Sequence, residues 1–297
     1  MVARTDIDFA ALDGTRIRGW LFTPDSVVGR APAITMAHGF GATRRRGGLE
    51  NLARMFAEAG YVVVFHDHRS FGDSDGLPRQ DIDPWKQIED WRPAITYLEQ
   101  LEIVDPSRIG LWGTSFAGGH ALVLGATDRR LRAIVAQVPT IDGFDTGHRR
   151  VPPQQVAELE RSFDEDLRAQ FAGEPPATSA LVSSDPDTPA AYRSQDAIDF
   201  NSREGETGWK NEVTIMSTRR ARMYAPGVWA PRVSPTPLLM IVADDDTTAP
   251  TDLTLGAYEQ AHEPKALKLF HGGHYSAYLD QFEVTSRAAV DWFDTHL

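Results

Sequence analysis

Four nearly continuous apolar runs punctuate the first half of this chain, at residues 33–37, 61–65, 109–112 and 133–138. Runs that are apolar on both faces suit central parallel strands. Between them the apolar period lengthens to three and four, through Leu49, Leu52, Ala53, Phe56 and Ala57, then Trp85, Ile88, Trp91, Ile95, Leu98 and Leu101, then Ala121, Leu122 and Leu124. This is the spacing of a helix with one buried face. Strand alternating with helix predicts an α/β fold built on a doubly wound, mostly parallel sheet of about eight strands. Gly60 marks a helix stop and Asp83-Pro84 a helix start with proline at its first position. Upstream, residues 7–9 and 17–22 flank Asp13-Gly14, a pair suited to the positive φ of a tight hairpin turn, and so predict an antiparallel opening pair.

The rhythm breaks at about residue 142. Pro152-Pro153, Pro175-Pro176, Pro186 and Pro189 punctuate helix-like pieces such as 156–171, which reads as an insertion rather than part of the sheet. Sheet-like pattern resumes at 237–242, continues in a helix from about Thr251 and a strand at 267–270, and closes on a helix whose face is Val284, Ala288 and Trp292. The predicted organisation is a core of residues 1–141 and 232–297 interrupted by a cap, 142–231, that is expected to be helical.

Composition narrows the chemistry. The 297 residues include no cysteine, which closes disulfides, thiolate metal sites and a cysteine nucleophile. Forty-two acidic side chains against 30 basic ones leave a formal charge of -12, which repels a nucleic-acid backbone. No stretch approaches the roughly 20 apolar residues needed to span a bilayer and no apolar run follows the first residues, so a cytoplasmic protein without membrane contact is expected.

One serine stands in an unusual context. In Ile109-Gly110-Leu111-Trp112-Gly113-Thr114-Ser115-Phe116-Ala117-Gly118-Gly119 a strand runs into a sharp turn and then a helix, with Ser115 at the turn. Small neighbours are needed there because strand and helix approach closely, and the hydroxyl is thereby pushed clear of the sheet. A serine hydroxyl is a weak nucleophile without a base in reach. His274, in Gly272-Gly273-His274-Tyr275 just beyond the last predicted strand, is the candidate base, with His271 its nearest competitor. Three carboxylates, Asp244, Asp245 and Asp246, end the strand at 237–242. Asp246, four residues before Pro250, is the candidate acid, followed by Asp244 and then Asp245. The spare carboxylates read as a solvated acidic turn or a cation site. The turn His38-Gly39-Phe40-Gly41 can aim the Phe40 N–H at a developing oxyanion, with the Phe116 N–H as companion donor.

Other clusters read as structural. His66-Asp67-His68-Arg69 has histidine spacing, but successive residues leaving a strand point to opposite sides and do not converge on one ion. Asp67, Arg69, Asp73 and Asp75 are expected to make turn hydrogen bonds and ion pairs. Arg44-Arg45-Arg46 is expected to be a solvated helix start, or else to bind an anionic substrate group.

Taken together, His38 to Gly41, Gly113 to Gly119, Asp246 and His274 resemble the α/β-hydrolase superfamily across nearly the whole chain. The blocks Asp67 to Gly76 and Gly113 to His120 are more narrowly similar to dienelactone-hydrolase-like and acyl-peptidase-like esterases and to polyketide-processing hydrolases and acyltransferases. The pattern's last glycine is Ala117 here, one methyl larger. The resemblance implies a Ser-His-Asp triad, an acyl-enzyme intermediate, a capped site and no need of cofactor or metal. Within the cap, Trp209, Met216, Met223, Tyr224, Val228 and Trp229 could line an apolar pocket or pack the cap on the core. The expected function is hydrolysis of a medium-sized, largely uncharged carboxylic ester or lactone. The alternatives are a polyketide acyltransferase or C–C bond hydrolase with the same triad, and a non-catalytic small-molecule binder. Self-association is left open.

Overall fold

In the computed structural model, which describes residues 2–202 and 209–297, the alternating pattern resolves into one large sheet with helices on both faces. The elements run β1 (Ala3–Ala10), β2 (Arg16–Thr23), β3 (Ala31–Ala37), α1 (Leu49–Glu58), β4 (Val62–His66), α2 (Pro84–Gln100), β5 (Val104–Thr114), α3 (Phe116–Thr127) and β6 (Leu131–Gln137). After an excursion of about a hundred residues the sheet is completed by β10 (Leu238–Ala243), α9 (Thr251–Gln260), β11 (Lys265–Phe270) and α10 (Phe282–His296). The eight strands lie in the order β1-β2-β4-β3-β5-β6-β10-β11. Only the β1–β2 and β2–β4 pairs are antiparallel. The opening hairpin turns where expected, with Gly14 at φ 87°.

Each helix meets the sheet through the stripe its sequence prescribes. Leu52, Phe56, Ala289 and Phe293 of α1 and α10 pack on one face with Trp20, Phe65 and Trp112. On the other face lie Ile88, Trp91, Ile95 and Leu98 of α2 with Leu122 of α3 and Ala257 of α9. Asp83 caps α2, accepting hydrogen bonds from the Trp85 and Lys86 N–H groups, and Pro84 opens the helix. The Trp91 indole N–H donates to Thr35 Oγ1 at 2.8 Å, which fixes α2 to β3.

The excursion holds α4 (Gly143–Arg150), α5 (Pro153–Phe171), β7 (Thr178–Val182), β8 (Ala190–Tyr192), α6 (Gln195–Asn201), β9 (Val213–Thr214), α7 (Ile215–Arg222) and α8 (Ala230–Val233). It is therefore not purely helical: β8, β7 and β9 form a small separate sheet. Strands of two to five residues are too short to show a period of two. This segment is pinned to the loop before α2. Ser217 Oγ accepts from the Ile82 N–H, and Thr214 Oγ1 and the Arg220 guanidinium both donate to Asp81 Oδ1, at 2.6 and 2.9 Å.

The arginine run sits differently from expectation. α1 starts only at Leu49, after Gly47 and Gly48 at φ 68° and 67°, so the arginines occupy a loop folded against the core. Arg44 is only 2% exposed, paired with Asp67 and Asp73 and 4.6 Å over the Trp20 ring. Arg45 also reaches Asp73, at 2.7 Å, and Arg46 lies 4.0 Å over Trp209 and donates to the Asn201 carbonyl. The buried Asp67 carboxylate, which also accepts from the Arg44 and Asp73 N–H groups, organises this turn. Among the described residues no helix is long and apolar enough to cross a membrane.

His66 and His68 pack against Trp91 beside His38 and His120, and all four rings are buried. Burial lowers each of them, His66 and His120 to about 3. The unfolded chain protonates these rings below about 6.5 while the folded chain does not, so stability is full above 6.5 and is lost as pH falls toward 3. Urea unfolding between pH 7 and 4 is expected to show this fall, with about 1.4 kcal/mol per pH unit from each ring that stays neutral. Both His66 nitrogens lack a hydrogen-bond partner among the described residues, so His66→Leu is expected to fold and to flatten the slope by that amount. An unchanged slope would mean that the ring takes up a proton inside the fold.

Candidate active site

Four strands deliver the candidate residues to one edge of the sheet, the carboxyl ends of β3, β5, β10 and β11, where open α/β sheets hold their ligands. Ser115 sits between β5 and α3 at φ 57°, ψ −120°, a conformation that non-glycine residues adopt only under constraint. Its N–H donates to the Gln137 carbonyl at 2.9 Å, and its own carbonyl accepts from Thr140 at 2.9 Å and Gly119 at 3.2 Å. A Cβ on Gly113 would stand 2.2 Å from the Ala117 carbonyl oxygen, and one on Gly118 2.9 Å from Pro139 Cα. The close approaches that the turn requires thus fall on Gly113 and Gly118, and Ala117 is accommodated in the core.

His274 opens a short 3-10 turn after β11 and is buried. Its Nε2 lies 3.0 Å from Ser115 Oγ and its Nδ1 2.7 Å from Asp246 Oδ2. The other carboxylate oxygen, Asp246 Oδ1, accepts from the Thr248 and Ala249 N–H groups at 2.8 and 2.7 Å, which fixes the carboxylate plane toward the imidazole. The competitors face solvent. His271, 92% exposed, pairs instead with Asp244 at 3.0 Å, and Asp245 is exposed.

The turn after β3 presses on the serine: a Cβ on Gly39 would come within 2.9 Å of Ser115 Cβ. His38 anchors this turn, its Nδ1 on the Gly39 carbonyl at 3.0 Å and its Nε2 accepting from the His68 N–H at 3.2 Å. Phe40 stacks edge-on against Phe116 with ring centroids 5.3 Å apart. The Phe116 N–H belongs to the first turn of α3, where amides lack carbonyl partners within the helix.

Two cavities meet at Ser115. One, of about 60 Å³, is walled by His274, Phe40, Arg46, Leu49, Leu181, Phe200, Tyr275 and Tyr278. Burial pushes the phenols of Tyr192, Tyr275 and Tyr278 up, so these three rings are neutral. The second, of similar size, runs toward α4 and α7 and is lined by Phe116, Thr146, Arg150, Thr218 and Arg222. Neither is lined by Trp209, Met216, Met223, Tyr224 or Trp229, the residues singled out in the sequence. Trp209 donates to the Gly41 carbonyl at 2.9 Å, and buried Tyr224 binds His120 Nδ1 at 2.8 Å. Met223 and Val228 are exposed, Met216 is half-buried, and Trp229 packs on the core below Arg232. The wall residues missed, Leu181, Tyr192 and Phe200, lie in short elements without periodicity. Tyr275 and Tyr278 had a signal in their nearness to His274.

The sequence matches, over residues 13–275, the family described as X-Pro dipeptidyl-peptidase (S15 family). It is 32% identical to the quorum-quenching protein AidA of Acinetobacter baumannii (strain MDR-ZJ06), covering 98% of this chain and 94% of that one. A thiohydrolase of Eupenicillium brefeldianum is 31% identical over 92% of this chain and 88% of its own length. The crystal structure of the α/β hydrolase GrgF from Penicillium sp. sh18 superposes with a TM-score of 0.86 at 29% identity, covering 99% of both chains. GrgF of Penicillium sp carries the name polyketide transferase.

Gly113→Ala is expected to lower stability by about 3 kcal/mol or more, because its methyl meets backbone rather than a movable side chain. Ala117→Gly is expected to fold with a loss of about 1 kcal/mol. Thermal melts of the two variants check this; a Gly113→Ala protein as stable as the wild type would show that the turn relaxes freely.

Proposed function

The chain belongs to the X-Pro dipeptidyl-peptidase (S15) family of α/β hydrolases, and on that premise we propose that it is a serine hydrolase cleaving a carboxylic ester or lactone through an acyl-enzyme. The observation that carries this reading is His274 bridging Ser115 and Asp246 at 3.0 and 2.7 Å. His274 Nε2 takes the proton from Ser115 Oγ as Oγ bonds to the carbonyl carbon, and the Phe40 and Phe116 N–H groups hold the oxyanion. The carbon–oxygen bond to the leaving group then breaks, and the imidazolium returns its proton to that oxygen. Water, deprotonated by the same imidazole, attacks the acyl carbon; the bond from that carbon to Ser115 Oγ then breaks and the imidazolium returns the proton to Oγ. Asp246 keeps Nδ1 protonated and steadies the imidazolium. No step requires a metal or cofactor.

The segment 142–231 serves as the cap, since Leu181, Tyr192 and Phe200 close over the serine. An ester fits better than a dipeptide end, because no carboxylate among the described residues lines either cavity to hold an α-ammonium group. Relatives named thiohydrolase and polyketide transferase support a second reading, in which the same acyl-enzyme forms from a thioester or passes its acyl group to an alcohol instead of water.

Turnover of a p-nitrophenyl ester series and a lactone panel is expected in the wild type, falling about ten-thousand-fold or more in Ser115→Ala and by about four orders of magnitude in Asp246→Asn. A fluorophosphonate should label Ser115, as read by mass spectrometry. Label on another residue, or full activity in Ser115→Ala, would remove the proposed nucleophile. Products formed with added alcohols separate hydrolysis from acyl transfer.

A further inference from the structure

We infer that the second cavity is a carboxylate-binding acyl subsite, in which Arg222, with Arg150 and Thr218, selects acyl groups that carry a free carboxylate a few carbons from the reacting carbonyl.

The cavity runs from Ser115 to α4 and α7, and two guanidinium groups and no carboxylate line it among the described residues. Arg150 is already held, donating to the Thr248 carbonyl at 2.9 Å and lying 4.6 Å over the Tyr192 ring. Arg222 differs: its Nη1 is shut off from solvent and has no hydrogen-bond partner among the described residues, and the same is true of the Thr218 hydroxyl, one helical turn away on α7. A buried guanidinium N–H without an acceptor costs free energy that an anionic ligand would return. Gly147 leaves room for the group: a Cβ there would stand 2.6 Å from Nη1. A planar fork beside a hydroxyl donor matches the two oxygens of a carboxylate.

The assignment to the acyl side follows from the proposed function, on which this inference rests. The leaving group must lie against His274, which protonates it, and His274 walls the first cavity but not the second. The acyl chain therefore extends into the second, whose volume of about 60 Å³ admits a few methylenes and a carboxylate rather than a long chain. This departs from the uncharged substrate that the acidic composition suggested.

The test compares p-nitrophenyl monoesters of succinate, glutarate and adipate with their methyl-capped counterparts. Wild type is expected to favour the free acids by about 10- to 100-fold in kcat/KM, the range of a charge-assisted hydrogen bond. Arg222→Gln should abolish that ratio, Arg222→Lys should keep part of it, and Arg149→Gln, a surface cation paired with Asp252, should leave it unchanged. In parallel, calorimetry with glutarate reads binding without turnover. Glutarate binding lost in Arg222→Gln supports the subsite even if no ester is cleaved, an outcome that would count against the hydrolase reading alone. Turnover of capped esters equal to or faster than that of the acids, or an Arg222→Gln variant that lowers both alike, overturns the subsite and leaves the hydrolase reading standing.

Discussion

A serine held at φ 57°, ψ −120° is the constraint around which the rest of this molecule is arranged. Such a backbone costs on the order of 1–3 kcal/mol and persists only where its surroundings over-determine it. Here they do so through three backbone hydrogen bonds at Ser115 and through Gly113 and Gly118, whose missing side chains let strand, helix and the exit of β6 converge. A relaxed turn would swing the hydroxyl away from His274 Nε2. The acidic loop after β10 needs no comparable strain, because Asp246 is oriented by two N–H donors of its own loop.

The sheet was legible because its central strands are buried on both faces and so carry a long apolar signal, as at 61–65 and 237–242. Ser115, His274 and Asp246 could be named for a related reason: each lies within four residues of the end of a strand, in a turn marked by nearby glycine, proline or further carboxylates. The elements β7, β8 and β9 were not legible, since two to five residues are too few to show alternation. Arg44 was misread because a charged run usually stays in water. What buries it is Asp67, 23 residues away, and no local pattern announces a partner at that distance.

The walls of the cavities escaped sequence reading for a similar reason. Aromatic and sulfur-containing residues of 142–231 drew attention by type, yet Trp209 and Tyr224 spend their polar atoms bracing the Gly41 turn and His120. Leu181, Tyr192 and Phe200, from three different elements, reach the serine because the small sheet and α6 fold back over it. Side-chain chemistry alone does not separate these two sets; only the path of the chain does.

Charge makes the same point at a different scale. A net charge of -12 describes the field seen by a partner at a distance, and salt screens that field within about 8–10 Å. Within a narrow cavity the nearest groups decide, because little water or salt intervenes between them and a ligand. Arg150 and Arg222 stand beside Ser115 with no acidic side chain among the described residues lining the same cavity. An acidic protein can in this way present a locally cationic cavity, because two guanidinium groups at the wall outweigh, at that range, the sum over 297 residues.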